Sequence, residues 1–554
     1  MTAPRIFLPI VLATTAFAQS FVAYVDNTPV CLAEGDQSRP EIVADGSGGA
    51  IVVWQDGRRN PDTLDLYAQR VSSNGVPLWT TDGVVVADTF SSKRNPVVVA
   101  DGVGGAIIIW EDRRAGEGDL FAQRMNEAGE RLWGGAGKAV CLVETRQFGV
   151  AAVEDGAGGA LVFWHDERRD DKDVYGQRID ANGELRWDSA GVALCDTTGD
   201  QAYPVAVSDG LGGAAVAWNG YAAGDADVFA QRIDGTGNTL WRENGVIVSA
   251  ADRRQLWPSI AANGAATTTI AWFDERERQY SYDVYAQRLG GDGSAKWTAD
   301  GEPVSVASGN QIFPAVYPNG TDVTVVWEDE RAGVVDVYMQ RLDENGVAAF
   351  AADGLPIAEG DVEQSNAVAL SDADETIVAW EEAEGTAENI RVQKFDATGA
   401  ADWNDSSLAL ADAPSRQTQA KIASDGNGGA VVVWTDRRDS LDYDIYMQRV
   451  NADGTFPVGV RDRDDVASSF RLYGNYPNPF NPVTTIEYSL KRTARVELAV
   501  FNALGERVAL LVSGERSAGE YRVRFDGSNL ASGVYFYRLS TPFGDAIGKA
   551  ALVK

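Results

Sequence analysis

Eight tryptophans, Trp54, Trp110, Trp164, Trp218, Trp272, Trp327, Trp380 and Trp434, recur along this chain at intervals of 53 to 56 residues. Each closes an apolar run, and most open into W-x-D-x-R. A period of that length exceeds a leucine-rich or helical-hairpin repeat, and its segments are too short and too β-branched for helices. The repeat from Tyr203 to Ala250 holds four alternating segments, PVAVS, AAVAW, DVFAQRI and GVIVS, separated by glycine-rich or polar turns. The pattern predicts four short strands per repeat, which is the blade of a β-propeller. D-G-x-G-G recurs between the first two strands at Asp45, Asp101, Asp155, Asp209 and Asp425, where glycine supplies the positive φ of a tight hairpin.

A second tryptophan follows the first by 23 to 25 residues in six repeats (Trp79, Trp133, Trp187, Trp241, Trp297 and Trp403), with Phe350 and Phe456 in the other two. Rings at a fixed point of every blade are expected to fill the gap between neighbours. The aspartate of W-x-D, the arginine two residues on and the following D-x-Y/F-x-Q-R are expected to hold the blade, through Asp–Arg pairs that fasten strand two to strand three. His165, the sole histidine, fills the variable position of W-x-D and reads as a surface residue. The last repeat has no clear fourth strand, whereas residues 28–33 (TPVCLA) match one and precede the first repeat. The expectation is an eight-bladed ring closed by this segment, which hides an otherwise open sheet edge. In this respect the chain resembles eight-bladed propellers with an N-terminal closing strand.

Residues 1–18 combine Arg5, an apolar stretch and Ala16-Phe17-Ala18, and are expected to be a cleaved secretory signal peptide. No other stretch is long and apolar enough to span a bilayer, so no membrane insertion is expected. Formal net charge is −33, yet residues 470–554 carry 11 Lys and Arg against 7 Asp and Glu, which leaves −37 on everything before them. Such a surface repels phosphate backbones, which excludes nucleic acid as a partner. Cys31, Cys141 and Cys195 occupy one equivalent position in three repeats, too far apart to bridge, and are expected to be buried thiols. With one histidine and no C-x-x-C there is nothing from which to build a zinc site. Loop acids such as Asp170, Asp171, Asp225 and Asp252 could hold Ca²⁺, but no spacing matches a calcium loop, and no cofactor is assigned.

Composition changes near Arg461. Residues 461–469 read as a solvated linker, with the propeller at 19–460 and a small sandwich at 470–554. Tyr476-Pro477-Asn478-Pro479-Phe480-Asn481-Pro482, Asn502-Ala-Leu-Gly505, Gly519-Glu-Tyr521 and the run from Leu530 to Tyr537 resemble the C-terminal sorting domain of type IX secretion cargo. The resemblance covers only the tail. It implies an immunoglobulin-like fold, passage through an outer-membrane translocon, and a secreted or cell-surface destination.

The variable loops, between strands two and three and between blades, are expected on one face, opposite the uniform D-G-x-G-G and N-G turns. The first strand of each repeat starts with glutamine (Lys93 once), and two residues on stand Arg39, Asn95, Gly149, Tyr203, Trp257, Phe313, Asn366 and Gln419. Three consecutive blades thus place Tyr203, Trp257 and Phe313 at the channel mouth, and with Arg39 and Asn95 these are the candidate ligand-binding residues. No G-x-S-x-G, H-E-x-x-H or sialidase-type box is present, and no catalytic residue is assigned. The expected function is a non-enzymatic binding or adhesion module for a glycan or protein. The alternative is a polysaccharide-active hydrolase or lyase using acids of the variable face.

Overall fold

The structure, a computed structural model, describes residues 27–554 apart from 115–117, 142, 144, 223–224, 265–266, 359–361, 373, 386, 404–406, 414, 439–441, 457–469, 477–479, 491, 503–504 and 518. The expected signal peptide and linker lie outside the described residues. Eight four-stranded antiparallel sheets follow one another along the chain up to Val450, and the described residues contain no helix. Blade one is β2 (Gln37–Ala44), β3 (Ala50–Asp56), β4 (Asp65–Val71) and β5 (Val84–Val85), in that order from the inner edge outwards.

Each blade is built around its first tryptophan. Trp54, Trp110, Trp164, Trp218, Trp272, Trp327, Trp380 and Trp434 are at most 1% exposed. A buried indole N–H needs an acceptor, and Asp56 Oδ2 accepts the Trp54 N–H at 2.8 Å. The carboxylate in turn pairs with Arg58 at 2.6 Å. The Arg58 guanidinium lies 3.8 Å over the Tyr67 ring of strand three. Strand two is therefore fastened to strand three by a cation–π contact, whereas the Asp–Arg pair is local to the turn. A second pair runs from Arg70 in strand three to Asp45 in the D-G-x-G-G hairpin, at 2.9 Å.

The second tryptophan joins blade to blade. Trp79 donates its indole N–H to Glu127 O of blade two at 2.9 Å, and Trp133, Trp187, Trp241, Trp297 and Trp403 each do the same to the following blade. The ring lies on the glycine of the turn after that blade's third strand, so closely that a Cβ on Gly129 would stand 2.9 Å from Trp79. Gly129 is thus required twice, by its φ of 82° and by the ring above it.

The ring closes through β1 (Thr28–Cys31), which pairs antiparallel with β32 (Asp444–Val450), Thr28 opposite Met447 and Pro29 opposite Tyr446. Blade eight is thereby made from both ends of the propeller sequence. Beyond it, a three-stranded sheet of β33 (Phe470–Tyr476), β34 (Val483–Leu490) and β37 (Gly519–Asp526) shares one core with a four-stranded sheet spanning residues 494–552.

Deletion through Ala33 removes the closing strand and leaves the edge of β32 open. It should lower the melting temperature sharply or cause aggregation, whereas cleavage after Ala18 should be neutral. Thermal melts of the two truncations decide this, and equal melting would contradict the seam.

Candidate functional site

The innermost strand of every blade carries the same break. Pairing with strand two slips between Ser38 and Glu41 in blade one and at the equivalent place in the other seven. The residue two positions beyond the strand's start is left-handed every time: Arg39 (φ 51°), Asn95 (49°), Gly149 (65°), Tyr203 (57°), Trp257 (54°), Phe313 (53°), Asn366 (51°) and Gln419 (59°). A bulge with one left-handed residue turns an amide out of the ladder.

In six blades that freed amide is capped from the preceding blade by the x of W-x-D, whereas Arg39 N donates to Gln419 Oε1 at 2.8 Å. Gln55 Oε1 accepts from Asn95 N at 2.8 Å, His165 Nδ1 from Tyr203 N at 3.2 Å and Asn219 Oδ1 from Trp257 N at 3.0 Å. Glu111, Glu328 and Glu381 accept from Gly149, Asn366 and Gln419 at 3.3, 2.8 and 2.6 Å. Phe273 makes no such bond and meets the Phe313 ring edge-on, centroids 5.9 Å apart. Alternation along the strand explains the direction: tryptophan and aspartate face the blade core, so x faces the other way.

His165 is accordingly no surface residue. It is 1% exposed, wedged edge-on between Phe148 and Tyr203. Burial, reinforced by the charges of Lys172 and Arg146, pushes its pKa down to about 3. The sequence reading failed here because the partner of x lies one repeat later and is a backbone amide.

Tyr203, Trp257 and Phe313 are 42%, 47% and 54% exposed. Tyr203 and Trp257 stack, with centroids 4.9 Å apart and planes 27° from parallel. Across the mouth, Arg39 Nη1 donates to Asn95 Oδ1 at 2.7 Å. These side chains, except Trp257, border a central cavity of about 1110 Å³ lined mainly by the inner strands. The cavity is acidic towards blades six and seven, where Glu328, Glu363 and Glu381 lie, and blade eight adds Arg416 and Lys421. Burial raises the Glu381 pKa to about 7, although Gln419 N and Asn366 Nδ2 both donate to its carboxylate. Burial raises Glu328 as well.

Among the described residues, no group of three or more His, Cys, Asp and Glu could hold a metal ion. Of the loop acids, Asp171 accepts the Gly199 N–H at 2.9 Å. Cys31, Cys141 and Cys195 are buried and free. In the tail, Phe480 is 1% exposed and exchanges backbone hydrogen bonds with Ala551 and Val553, while Asn481 is exposed and Pro482 O accepts from Gly527 N at 2.8 Å. The Tyr476 backbone ends β33; Pro477, Asn478 and Pro479 lie outside the described residues.

His165→Gln installs the cap that blade one uses. A histidine held neutral down to about pH 3, against an unfolded value near 6.5, contributes stability that is complete above the unfolded value and lost as the pH falls towards 3. The variant should therefore lose less melting temperature than the wild type between about pH 7 and about pH 5. Equal losses would show that His165 stays unprotonated in the unfolded chain or is not buried.

No curated protein matches this chain. Among solved structures, a Dyadobacter fermentans protein of unknown function aligns at 11% identity over 77% of this chain and 98% of its own, with a TM-score of 0.38. An α-L-arabinanase of Penicillium chrysogenum, complexed with arabinobiose, aligns at 12% identity over 55% of this chain and 94% of its own, TM-score 0.34. A GH93 α-L-arabinofuranosidase of Fusarium graminearum aligns at 10% identity over 56% and 96%, TM-score 0.35. At scores this low the likenesses carry no argument, and the fold rests on the strand pairing described above. Residues 475–550 match the secretion system C-terminal sorting domain family, which makes this chain a cargo of type IX secretion, exported to the cell surface or the extracellular space.

Proposed function

We propose that the propeller is a glycan-binding module displayed outside the cell, with the aromatic arc of Tyr203, Trp257 and Phe313 as its platform and Arg39 and Asn95 on the opposite rim. The observation that carries this reading is a conformational one. A left-handed backbone suits glycine and asparagine and disfavours bulky side chains. Gly149, Asn95 and Asn366 meet that demand. Three neighbouring blades instead hold Tyr, Trp and Phe there, and each ring stays about half in water. Tyr203 and Phe313 meet the buried rings of His165 and Phe273 only edge-on, and the half of each ring left in water supports selection for a ligand.

A pyranose offers an apolar C–H face to an aromatic ring and hydroxyls at its edge. The rim matches that division, aromatic over blades four to six and polar from Asn366 and Gln419 to Arg39 and Asn95. Glu328 and Glu381, the acids that a hydrolase would use, already cap the next blade's amides. Binding is therefore favoured over cleavage. We further propose that residues 19–460 form the binding unit, joined by 461–469 to a tail at 470–554 that engages the outer-membrane translocon.

A glycan array identifies the sugar, and absence of released product from a positive glycan excludes the hydrolase. Trp257→Ala should then weaken binding by about 1 to 3 kcal/mol, with Tyr203→Ala and Phe313→Ala smaller in the same direction. Trp272→Ala, within the blade core, should instead cost about 3 to 5 kcal/mol of stability. If Trp257→Ala unfolds the protein as badly as Trp272→Ala, the platform is abandoned.

Removal of residues 470–554 should leave the propeller folded but stranded in the periplasm of its native host. Surface display of the truncated chain, measured by protease accessibility on whole cells, would refute the sorting role.

A further inference from the structure

The first residue of each inner strand is buried at a blade junction, beside the aspartate near the start of strand three of the blade before, a position held by Asn389 in blade seven. The contact is fixed by the backbone: Lys93 N donates to Leu64 O at 2.8 Å and Gln147 N to Gly118 O at 3.0 Å, each carbonyl directly preceding that aspartate. At the first junction the residue is Lys93, which is fully buried. Its ammonium donates to Asp65 Oδ1 at 2.8 Å, Thr89 O at 2.9 Å and Ser91 O at 3.1 Å.

Elsewhere the residue is glutamine, one bond shorter. Gln311 Nε2 reaches Ser308 O at 3.4 Å and Asp329 Oδ1 of its own blade at 3.3 Å, but not Asp283 of the blade before. Gln311 and Asp283 are each 0% exposed. Gln311 Oε1 and Asp283 Oδ2 have no hydrogen-bond partner among the described residues, Asp283 Oδ1 meets only the Arg278 guanidinium, and Gln147 Oε1, Asp119 Oδ2, Asp173 Oδ2 and Asp336 Oδ1 at other junctions accept no hydrogen bond there either. These atoms are oxygens, so each junction is short of positive charge or of donors.

Arginines at the end of strand two or in the loop after it supply charge at two of these junctions, but only from one side and at long range. Arg278 stands 3.5 Å from Asp283 Oδ1 and Arg169 3.8 Å from Asp173 Oδ2. At the first junction Arg59 likewise stands 3.2 Å from Asp65 Oδ2, yet the Lys93 ammonium sits on the other oxygen. An outer arginine thus leaves the inner position to a second cation. One carboxylate and neutral carbonyls, matched by a single ammonium charge, suit a monovalent ion; Ca²⁺ takes six to eight oxygens.

We propose that the junctions of Asp119, Asp173, Asp283 and Asp336 bind a monovalent metal cation, sodium or potassium, where the first junction places the Lys93 ammonium. The chain then carries its own control, a covalently tethered cation at one junction and exchangeable ones at the others. Their effect is to tie neighbouring blades together beneath the variable face.

Two measurements test this on the full chain. Melting is followed in NaCl, KCl and choline chloride at equal ionic strength, and crystals are soaked in a thallous salt. The expectation is a melting temperature higher by about 3 °C in one or both metal salts than in choline. Anomalous density should stand beside Asp283 and Asp119 and be absent beside Lys93. Gln311→Lys should abolish the density at Asp283 and reduce the salt effect, and Lys93→Gln should create density at Asp65. Should Lys93→Gln fail to fold, Gln311→Lys and the wild-type soak still decide. Identical melting in all three salts with no anomalous density would mean ordered water only and overturns the proposal, as would a response to Ca²⁺ without one to sodium or potassium.

Discussion

Burying an indole N–H is the constraint on which the blades depend. Left without an acceptor, the group costs about 1 to 3 kcal/mol, and the chain meets this eight times over. In six blades the acceptor is the aspartate two residues on, as in Trp434 to Asp436 at 2.8 Å. A carboxylate placed there brings a charge into the interior, so an arginine follows; the guanidinium needs a surface, so strand three supplies an aromatic ring, as Tyr446 does 3.8 Å from Arg438. One of the two departures obeys the same logic. Blade four has Gly220 where the aspartate belongs, and Gln201 Oε1 takes the Trp218 N–H at 3.0 Å. Blade seven does not: Glu382 pairs with Arg391 at 2.9 Å, and the buried Trp380 N–H has no acceptor among the described residues.

That chain of requirements explains why the fold was legible. Each requirement is met within one repeat, at fixed spacing, so the tryptophans and the W-x-D-x-R run announce themselves, and TPVCLA announces the missing strand. Contacts between repeats were less legible. The x of W-x-D is Gln, Glu, His, Asn, Phe or Thr, a set that looks like an unconstrained surface position. In six blades its task is to accept from a backbone amide of the next blade, which several chemistries can do, while Phe273 meets the Phe313 ring and Thr435 donates to Gln419 Oε1, the group that caps Arg39. His165 was misread for this reason. A signal was nevertheless present: Asn, Gly and Asn at three of the eight mouth positions are what a left-handed backbone selects.

The second tryptophan carries the same reasoning across the blade boundary. Its ring covers a glycine of the next blade and its N–H reaches a carbonyl there, so a blade without a neighbour exposes an apolar face and an unpaired donor. Trp403 makes this contact with blade eight through Ala452 O at 2.9 Å. Blade eight must then be complete, and its fourth strand comes from the other end of the propeller sequence. Stability of the ring is in this sense a property of the seam, where Cys31 lies opposite Ile445.

Electrostatics narrows what the mouth can hold. Within the cavity, Arg416 is engaged by Glu388 at 2.6 Å and Lys421 by Glu41 at 2.8 Å. Arg39 is turned to Asn95. Glu111, Glu328 and Glu381 each give one carboxylate oxygen to a backbone amide, and the surrounding chain is strongly acidic. Arg39, exposed and with its guanidinium bonded only to the neutral Asn95, and Arg146 make no ion pair among the described residues, so an anionic group on a sugar would find its cation at these two points. On the proposed reading the sugar is held by ring faces and by the hydrogen-bonding groups of the rim, such as Asn366 and Gln419, and salt dependence of binding separates a neutral sugar, which should show little, from an anionic one drawn to Arg39 or Arg146.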